Sequence, residues 1–590
     1  MTTSAHEFFG RLTSGAEYDV AVLGAGAAGM AAALHAALDG ARVLLVEKTE
    51  YVGGTSALSG GTTWVPLTRY EKDASIHATQ PDSYEKVSGF LDRAVGEHAP
   101  AYMREAFLKA GPEAIHKLVD NTEVQFRVCA FHPDYMADLE GAVTCGRALE
   151  PLPYITRHLG DNLKLLRPPI EEFTVLGGMM INREDIGHLL KRFQTFESAL
   201  YTVRLGMRYV WDRIRYGQTA RSVMGHALIA RMLASALKLG INITVNTEAT
   251  AIVPMGKGVN RLTLSQNGQS KDVVVKGGVI LAGGGFGRDP QKRAAFYPKG
   301  MPPYSPTGPG CTGSAHRLAE ALGAFYGSAE DQPAFWAPCS TRKRADGTTA
   351  VFPHFVFDRA KPGIMSVDQD GNRFVNESQS YHEYGKAQLN SGGKANPAWI
   401  IADAKAIAKF GLGMVRLGGD PLGPYLKDGY LLEGKTLDEL ARKLGVNADN
   451  LKAAVAQMNA AAHSGVDEKF HRGSNFYQRA NGDPQHTGPN PNLGELATAP
   501  FYAVRLYPAD IGTSKGLMAD ENAQLIRADQ QPIEGLYACG NDLNSIMGGK
   551  YPGPGITIGP GIVFGYLAAR HACQRARGEL AAPAPRVANL

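Results

Sequence analysis

Apolar runs of strand length recur along this chain, each halted by glycine, and several are followed by residues spaced for a helix. Residues 18–23, YDVAVL, form one such run; they lead into Gly24-Ala25-Gly26-Ala27-Ala28-Gly29 and then the helical pattern MAAALHAALDG. A second strand is predicted over residues 41–46, ending in Glu47. From about residue 241 to 275 the pattern predicts β-structure, with a hairpin turn at Ser265-Gln266-Asn267-Gly268. Residues 278–281 predict a buried strand that closes on the glycines of AGGGFG. Near the other end, residues 536–539 predict a short strand before Gly540-Asn541. The segment YPGPGITIGP then leads into a helix, GIVFGYLAARHAC.

The first of these units is a strand, a GxGxxG loop, a helix, a second strand and an acid, in that order. Gly24 permits the tight turn, Gly26 admits a pyrophosphate to the backbone, and Gly29 lets the helix pack on the strand. With Ala28, these residues place free N–H groups of a helix N-terminus at the phosphates. Glu47 is placed to accept ribose hydroxyls, which disfavours a 2′-phosphate. The Gly/Ser/Thr segment that follows distinguishes FAD from NAD. Lys48, Gly53, Gly54, Thr55, Ser59, Gly60 and Gly61 are expected to wrap a second phosphate and a flavin edge. Ala282 and Gly283 are expected beside the adenosine half. Gly540, Asn541, Thr557 and Ile558 are expected at the flavin, where a helix dipole favours negative charge.

Composition narrows the class. The chain has 590 residues, 44% hydrophobic and 20% charged, enough for a large core and more than one domain. A formal charge of +4 without a basic stripe argues against nucleic acid. Six cysteines with no CxxC pair fit a reducing cytoplasm and no metal site. The start MTTSAHEFFGRLTSG carries no secretory pattern, and no segment reads as a transmembrane helix, so stable membrane insertion is not expected. Peripheral contact is compatible with an apolar substrate, but no basic amphipathic helix stands out.

The segments YDVAVLGAGAAGMAAA, GGTSALSGGTTWVP, VILAGGGFG, GNRFVNESQSY, APFYAVRLYPADIGTSKGL, PIEGLYACGN and YPGPGITIGPGIVFGYLAA together resemble the 3-ketosteroid dehydrogenases, within the fumarate reductase flavoprotein superfamily. Where fumarate reductases carry a proton-donating arginine, this chain has Tyr381. The histidine expected before Gly512-Thr513-Ser514 is absent, so the site is poorly suited to a dicarboxylate. GGTSALSGG also lacks the histidine that bonds FAD covalently in membrane-bound relatives, which implies non-covalent FAD.

The resemblance implies that Tyr551 and the Gly555 N–H bind the substrate ketone. Tyr381 then takes the α-proton, and Tyr135 is a further family tyrosine. A phenol acts as base only if its surroundings lower a pKa near about 10. Gly310-Cys311-Thr312-Gly313-Ser314 lacks the acid often present in relatives. Trp64, Phe335 and Trp336 suit either an apolar substrate slot or the core, and DEKFHRGSNFY is taken as structural.

The expected architecture is α/β: a Rossmann-like FAD-binding domain from residues 1–335 and 512–590, with an α+β catalytic domain, residues 336–511, inserted. The expected activity is FAD-dependent α,β-dehydrogenation of a small apolar cyclic ketone, foremost 3-oxosteroid 1,2-desaturation. Electrons would pass to an external, quinone-like acceptor. Desaturation of a smaller cyclic ketone or of the steroid 4,5-bond, and a non-catalytic flavin protein, are the alternatives.

Overall fold

The computed structural model describes residues 5–73, 81–129, 131–190, 193–217, 219–356, 358–416 and 420–580. The first four residues of the segment read for a leader thus lie outside the described residues. Two large sheets organise these residues. In the first, strand Ala16–Leu23 lies between Val43–Val46 and Gln269–Leu281, parallel to both, and Asn242–Thr244 extends the far edge. The long strand Gln269–Leu281 serves two purposes. Its beginning pairs antiparallel with Val259–Gln266, while Val279 to Leu281 lie parallel to Pro532–Ala538. The hairpin between Val259–Gln266 and Gln269–Leu281 turns on Asn267 and Gly268, both at positive φ, as an Asn-Gly hairpin turn requires.

Helix Ala27–Leu38 and helix Ile558–Ala576, from opposite ends of the chain, pack against one another on this sheet. Small residues make the approach possible. A Cβ on Gly565 would meet the Ala28 carbonyl at 2.8 Å, and one on Gly561 would meet the Ala28 side chain at 3.1 Å.

The second sheet is antiparallel, with the order Thr349–Pro353, Ala334–Lys343, Phe501–Thr513, Ala398–Asp403, Ile364–Val367; Leu431–Gly434 also pairs with Phe501–Thr513. Its strands alternate strictly. Ile364, Ile400 and Val504 enter one core, whereas Met365, Ile401 and Ala503 enter another, so both faces are covered. The expected boundaries at 335/336 and 511/512 each fall inside a strand of this sheet, Ala334–Lys343 and Phe501–Thr513.

Helix Phe196–Tyr216 is a basic helix with an exposed apolar row that did not stand out in the sequence. Its buried residues are Ser198, Leu205, Tyr209 and Asp212, while a row of large apolar side chains points outward beside Arg204 and Arg208. Apolar positions on two opposite faces obscured its amphipathic character in the sequence. No helix among the described residues is long and apolar enough to cross a membrane.

Candidate active site

A cavity of about 1150 Å³ runs from the glycine loop after strand Ala16–Leu23 to the second sheet. Of the residues expected at a cofactor, Gly24, Gly26, Ala28, Glu47, Lys48, Gly54, Thr55, Ser59, Gly60, Gly61, Ala282, Gly283, Gly540, Asn541, Thr557 and Ile558 line it. Gly29 and Gly53 stand behind the wall. A Cβ on Gly29 would lie 1.9 Å from the Gly24 carbonyl oxygen, and the Gly53 N–H donates to the Ala25 carbonyl at 2.8 Å. Both glycines shape the loop from outside the cavity.

Glu47 joins the loop to the end of the second strand. Its Oε2 accepts from the Ala25 N–H at 3.0 Å, and its Oε1 accepts from the Thr49 N–H and hydroxyl at 2.8 and 2.7 Å. A carboxylate has about four acceptor sites, so capacity remains toward the cavity. On the opposite side, buried Asp542 accepts from the N–H groups of Gly283 and Gly285 and bonds His316 Nε2 at 3.0 Å. This carboxylate fixes the glycine-rich end of strand Gln269–Leu281 to the Gly540 turn. The sequence reading named neither Asp542 nor His316, which lie 226 positions apart and meet only in the fold.

Four tyrosines meet at the far end of the cavity. The rings of Tyr381 and Tyr551 have centroids 5.1 Å apart at 73°, Tyr135 lies 5.6 Å from each, and Tyr477 lies 4.8 Å from Tyr135. All four line the cavity, as does Gly555. The Tyr381 hydroxyl is electrostatically coupled to those of Tyr551 and Tyr135. Gly555 sits at φ +90°, with its carbonyl taken by the N–H groups of Trp64 and Gly559.

Each tyrosine is held by a buried polar frame. Tyr135 follows Asp134, whose carboxylate accepts from the Trp64 indole at 2.9 Å and pairs with Arg147 at 2.8 Å. The Tyr135 N–H donates to the Pro552 carbonyl, tying it to the Tyr551 turn. Tyr381 opens helix Tyr381–Leu389, where Ser380 caps the Glu383 N–H, the S-x-x-E signature of a helix start. Arg359 donates to the carbonyls of His354, Phe355, Glu377 and Gln379 and so clamps the two segments that flank the Tyr381 ring. Glu377 and Asp467 bind Arg373, and Glu377 also binds Arg472, so the RFVNE and DEKFHRGSNFY segments form one buried ion network.

The network is a structural role for DEKFHRGSNFY, and the segment also reaches the cavity. Its last residue, Tyr477, is a site residue the sequence reading missed, and its buried hydroxyl has no hydrogen-bond partner among the described residues. Trp64 and Trp336 are fully buried and belong to the core. Phe335, also buried, lies edge-on to Tyr551 at 5.2 Å. His382 accepts from the Trp336 N–H and burial drives its pKa down to about 3, so it is neutral.

The electrostatics of the cluster run opposite to the expectation for a base. Burial raises the Tyr381 phenol well above its ordinary value, and the neighbouring Tyr135 and Tyr551 push in the same direction. Burial likewise pushes Tyr551 up to about 12. Neutral phenols are therefore the resting state, which suits Tyr551 as a donor and sets a condition on Tyr381. At the cavity wall Cys129, His132 and Glu150 bring ligand atoms within 4.8 Å of one another, a grouping the cysteine spacing did not reveal. His132 Nδ1 faces the Glu150 carboxylate at 3.7 Å.

A family model described as an FAD binding domain matches residues 19–558. The chain belongs to this family. It is 36% identical over 559 residues to 4-oxocyclohex-2-ene-1-carboxylate 5-dehydrogenase of Sinomonas cyclohexanicum, covering 94% of this chain and 93% of that protein. It is 34% identical over 571 residues to 3-oxosteroid 1-dehydrogenase of Mycolicibacterium smegmatis, covering 94% and 97%. The structure of 3-ketosteroid Δ1-dehydrogenase from Sterolibacterium denitrificans in complex with 1,4-androstadiene-3,17-dione superposes with a TM-score of 0.86 at 31% identity, over 94% of this chain and 99% of that one. The protein is a 3-ketosteroid dehydrogenase-like flavoprotein, an FAD-dependent oxidoreductase acting on CH–CH groups.

The residues present fit FAD. Helices Ala27–Leu38 and Ile558–Ala576 both begin at the cavity without a side-chain cap and without an acid in the first turn. The Ala27 N–H donates to the Ser56 hydroxyl at 3.2 Å, and the remaining first-turn N–H groups and the positive dipole of such ends suit a pyrophosphate and an electron-rich ring edge.

Proposed function

We propose that this flavoprotein desaturates the bond beside the carbonyl of a cyclic 3-ketone, foremost the 1,2-bond of a 3-oxosteroid. The grouping of Tyr135, Tyr381 and Tyr551 with Gly555 on one cavity wall carries this reading. Tyr551 and the Gly555 N–H donate to the ketone oxygen and stabilise the developing enolate, which weakens the α C–H bond. Tyr381 takes the α-proton. Bound FAD supplies the acceptor for the hydrogen that leaves the β-carbon with its electron pair, and an external quinone-like acceptor removes the electrons.

Tyr381 must ionise against its burial. The neighbouring Tyr135 and Tyr551 oppose that ionisation as burial does. The working base is therefore populated only as pH climbs.

A specific observation favours a second reading, a single-ring ketone bearing a carboxylate. Arg416 lines the cavity and is only loosely paired with Asp420, at 3.9 Å, so a cation is within reach of an anionic substrate. Supporting the steroid, Phe173, Val175, Met179, Met180, Phe352 and Phe355 give the cavity an apolar lining suited to fused rings.

The test is anaerobic mixing of FAD-loaded protein with androst-4-ene-3,17-dione, with 4-oxocyclohexanecarboxylate in parallel, following the visible flavin band and the product mass. Bleaching by the steroid, with a product two hydrogens lighter, is the expected result. Bleaching by the single-ring acid alone transfers the assignment to the second reading, and bleaching by neither, in protein that dithionite reduces, defeats both.

A further inference from the structure

We propose that helix Phe196–Tyr216 docks the protein on a lipid surface that bears anionic headgroups. The residues Phe196, Val203, Met207, Val210, Trp211 and Ile214 are between 54% and 83% exposed. At 3.6 residues per turn they fall within roughly 100° of arc, one continuous stripe along the helix. The opposite face is already occupied. Leu205 and Tyr209 pack with Met179 in a small core, the Tyr209 hydroxyl donates to the Leu176 carbonyl at 2.9 Å, and Asp212 accepts from the Ala220 N–H at 3.0 Å. Thus the helix is anchored from behind and presents its stripe to the outside. Large apolar stripes are rare on a surface that meets only water.

Charge selects the occupant. Arg204, Arg208 and Arg215 run along one flank of the stripe and Arg213 along the other, all exposed and none ion-paired to an acid among the described residues. Arginines at the edges of an apolar stripe can extend to headgroups while their stems lie over the apolar surface. Two copies of the helix packed together would offer these four cations one exposed acid per helix, Glu197, whereas anionic headgroups neutralise them all.

The position of the stripe agrees with this occupant. Leu176 is 70% exposed and, with Met179, Met180 and Thr202, lines the cavity, so the face that anchors this helix is also cavity wall and a docked protein would hold its cavity close to the lipid. Docking is independent of the reaction assigned above, since vesicle binding is read without turnover.

The experiment is flotation of the FAD-loaded full chain with vesicles of phosphatidylcholine, and with vesicles of equal parts phosphatidylcholine and phosphatidylglycerol. The expected result is flotation with the anionic vesicles, weakened by added salt. The doubly substituted Met207→Glu/Ile214→Glu protein should partition roughly tenfold less or worse, since each buried apolar side chain contributes on that scale. Arg204→Gln/Arg208→Gln should remove the preference for anionic vesicles. Both variants alter exposed positions and should retain their FAD and their anaerobic reduction by ketone. Wild-type protein that stays with the aqueous fraction, or a Met207→Glu/Ile214→Glu protein that floats equally well, overturns the proposal. A dimer in sedimentation that this variant dissociates, without vesicle binding, assigns the stripe to a second copy instead.

Discussion

The two ends of the cavity are built from different materials. At the cofactor end the working groups are backbone N–H groups and small residues: Gly24, Gly26 and Ala28 in one loop, Ala282 and Gly283 in another. At the tyrosine end the working groups are side-chain hydroxyls drawn from four separate segments, those of Tyr135, Tyr381, Tyr477 and Tyr551. A backbone site fails by steric intrusion, so it tolerates little and fails together with the fold. A hydroxyl site can lose one oxygen and keep its shape. Substitutions at the two ends should therefore separate cofactor retention from turnover.

The largest effect is expected at Gly29. A side chain there meets the Gly24 carbonyl oxygen at 1.9 Å, so Gly29→Val should abolish the folded holoprotein. The measurement is flavin content of the purified chain, and stoichiometric FAD in this variant would contradict the steric account. Next comes Tyr381→Phe, which should keep FAD and lower kcat by roughly 10²–10⁴-fold, the range for loss of a general base. Its partner measurement is the pH profile. Because burial raises the Tyr381 pKa, the phenolate fraction grows as pH rises toward that value. For the wild type kcat/KM should then climb through the alkaline range without a plateau below about 10. A plateau near neutrality would show that some group in the bound complex lowers that pKa.

A smaller effect on chemistry, with a large one on stability, is expected at Arg147, whose guanidinium pairs with Asp82 at 2.6 Å and Asp134 at 2.8 Å in nearly complete burial. Removing one partner of a buried ionic group costs about 3–5 kcal/mol. Arg147→Met should lower the midpoint of thermal unfolding and loosen Tyr135. An unchanged midpoint would mean that water reaches the two carboxylates.

Tyr477→Phe should have the smallest effect of all. Its buried hydroxyl has no partner, and an unsatisfied buried polar group costs about 1–3 kcal/mol. Deleting the oxygen should leave the protein as stable or slightly more so without ketone. A rise in KM at constant kcat would identify Tyr477 as a contact for the bound substrate, and a collapse of kcat would place it among the reacting groups.

The cofactor end was readable from the chain because its chemistry is local. A strand, a turn that needs glycine and a helix start occupy fourteen consecutive residues from 16 to 29, and the φ of Gly24, +114°, follows from that turn. Gly29, read as the glycine that lets the helix pack on the strand, stands behind the wall, and so does Gly53, which was expected at the cofactor, because nothing in the run of glycines from 53 to 61 shows which of them face the cavity. Tyr551 was singled out by the family resemblance of the segment YPGPGITIGP. Nothing local singled out Tyr477, whose role depends on Arg472 reaching Glu377 and on the Tyr135 ring 4.8 Å away. The exposed stripe on helix Phe196–Tyr216 escaped notice for the same reason, since only packing reveals which of two apolar faces is already covered.

By itself the sequence determined the alternation of strands and glycine turns, the nucleotide-binding loop and the tyrosines available for chemistry, since backbone geometry and residue type act over short distances. Tertiary structure alone decided which tyrosines meet, which carboxylate pins the glycine-rich strand end, and that the Tyr381 phenol rests neutral. Those outcomes depend on burial and on contacts between residues hundreds of positions apart, and both exist only once the chain has closed around the cavity.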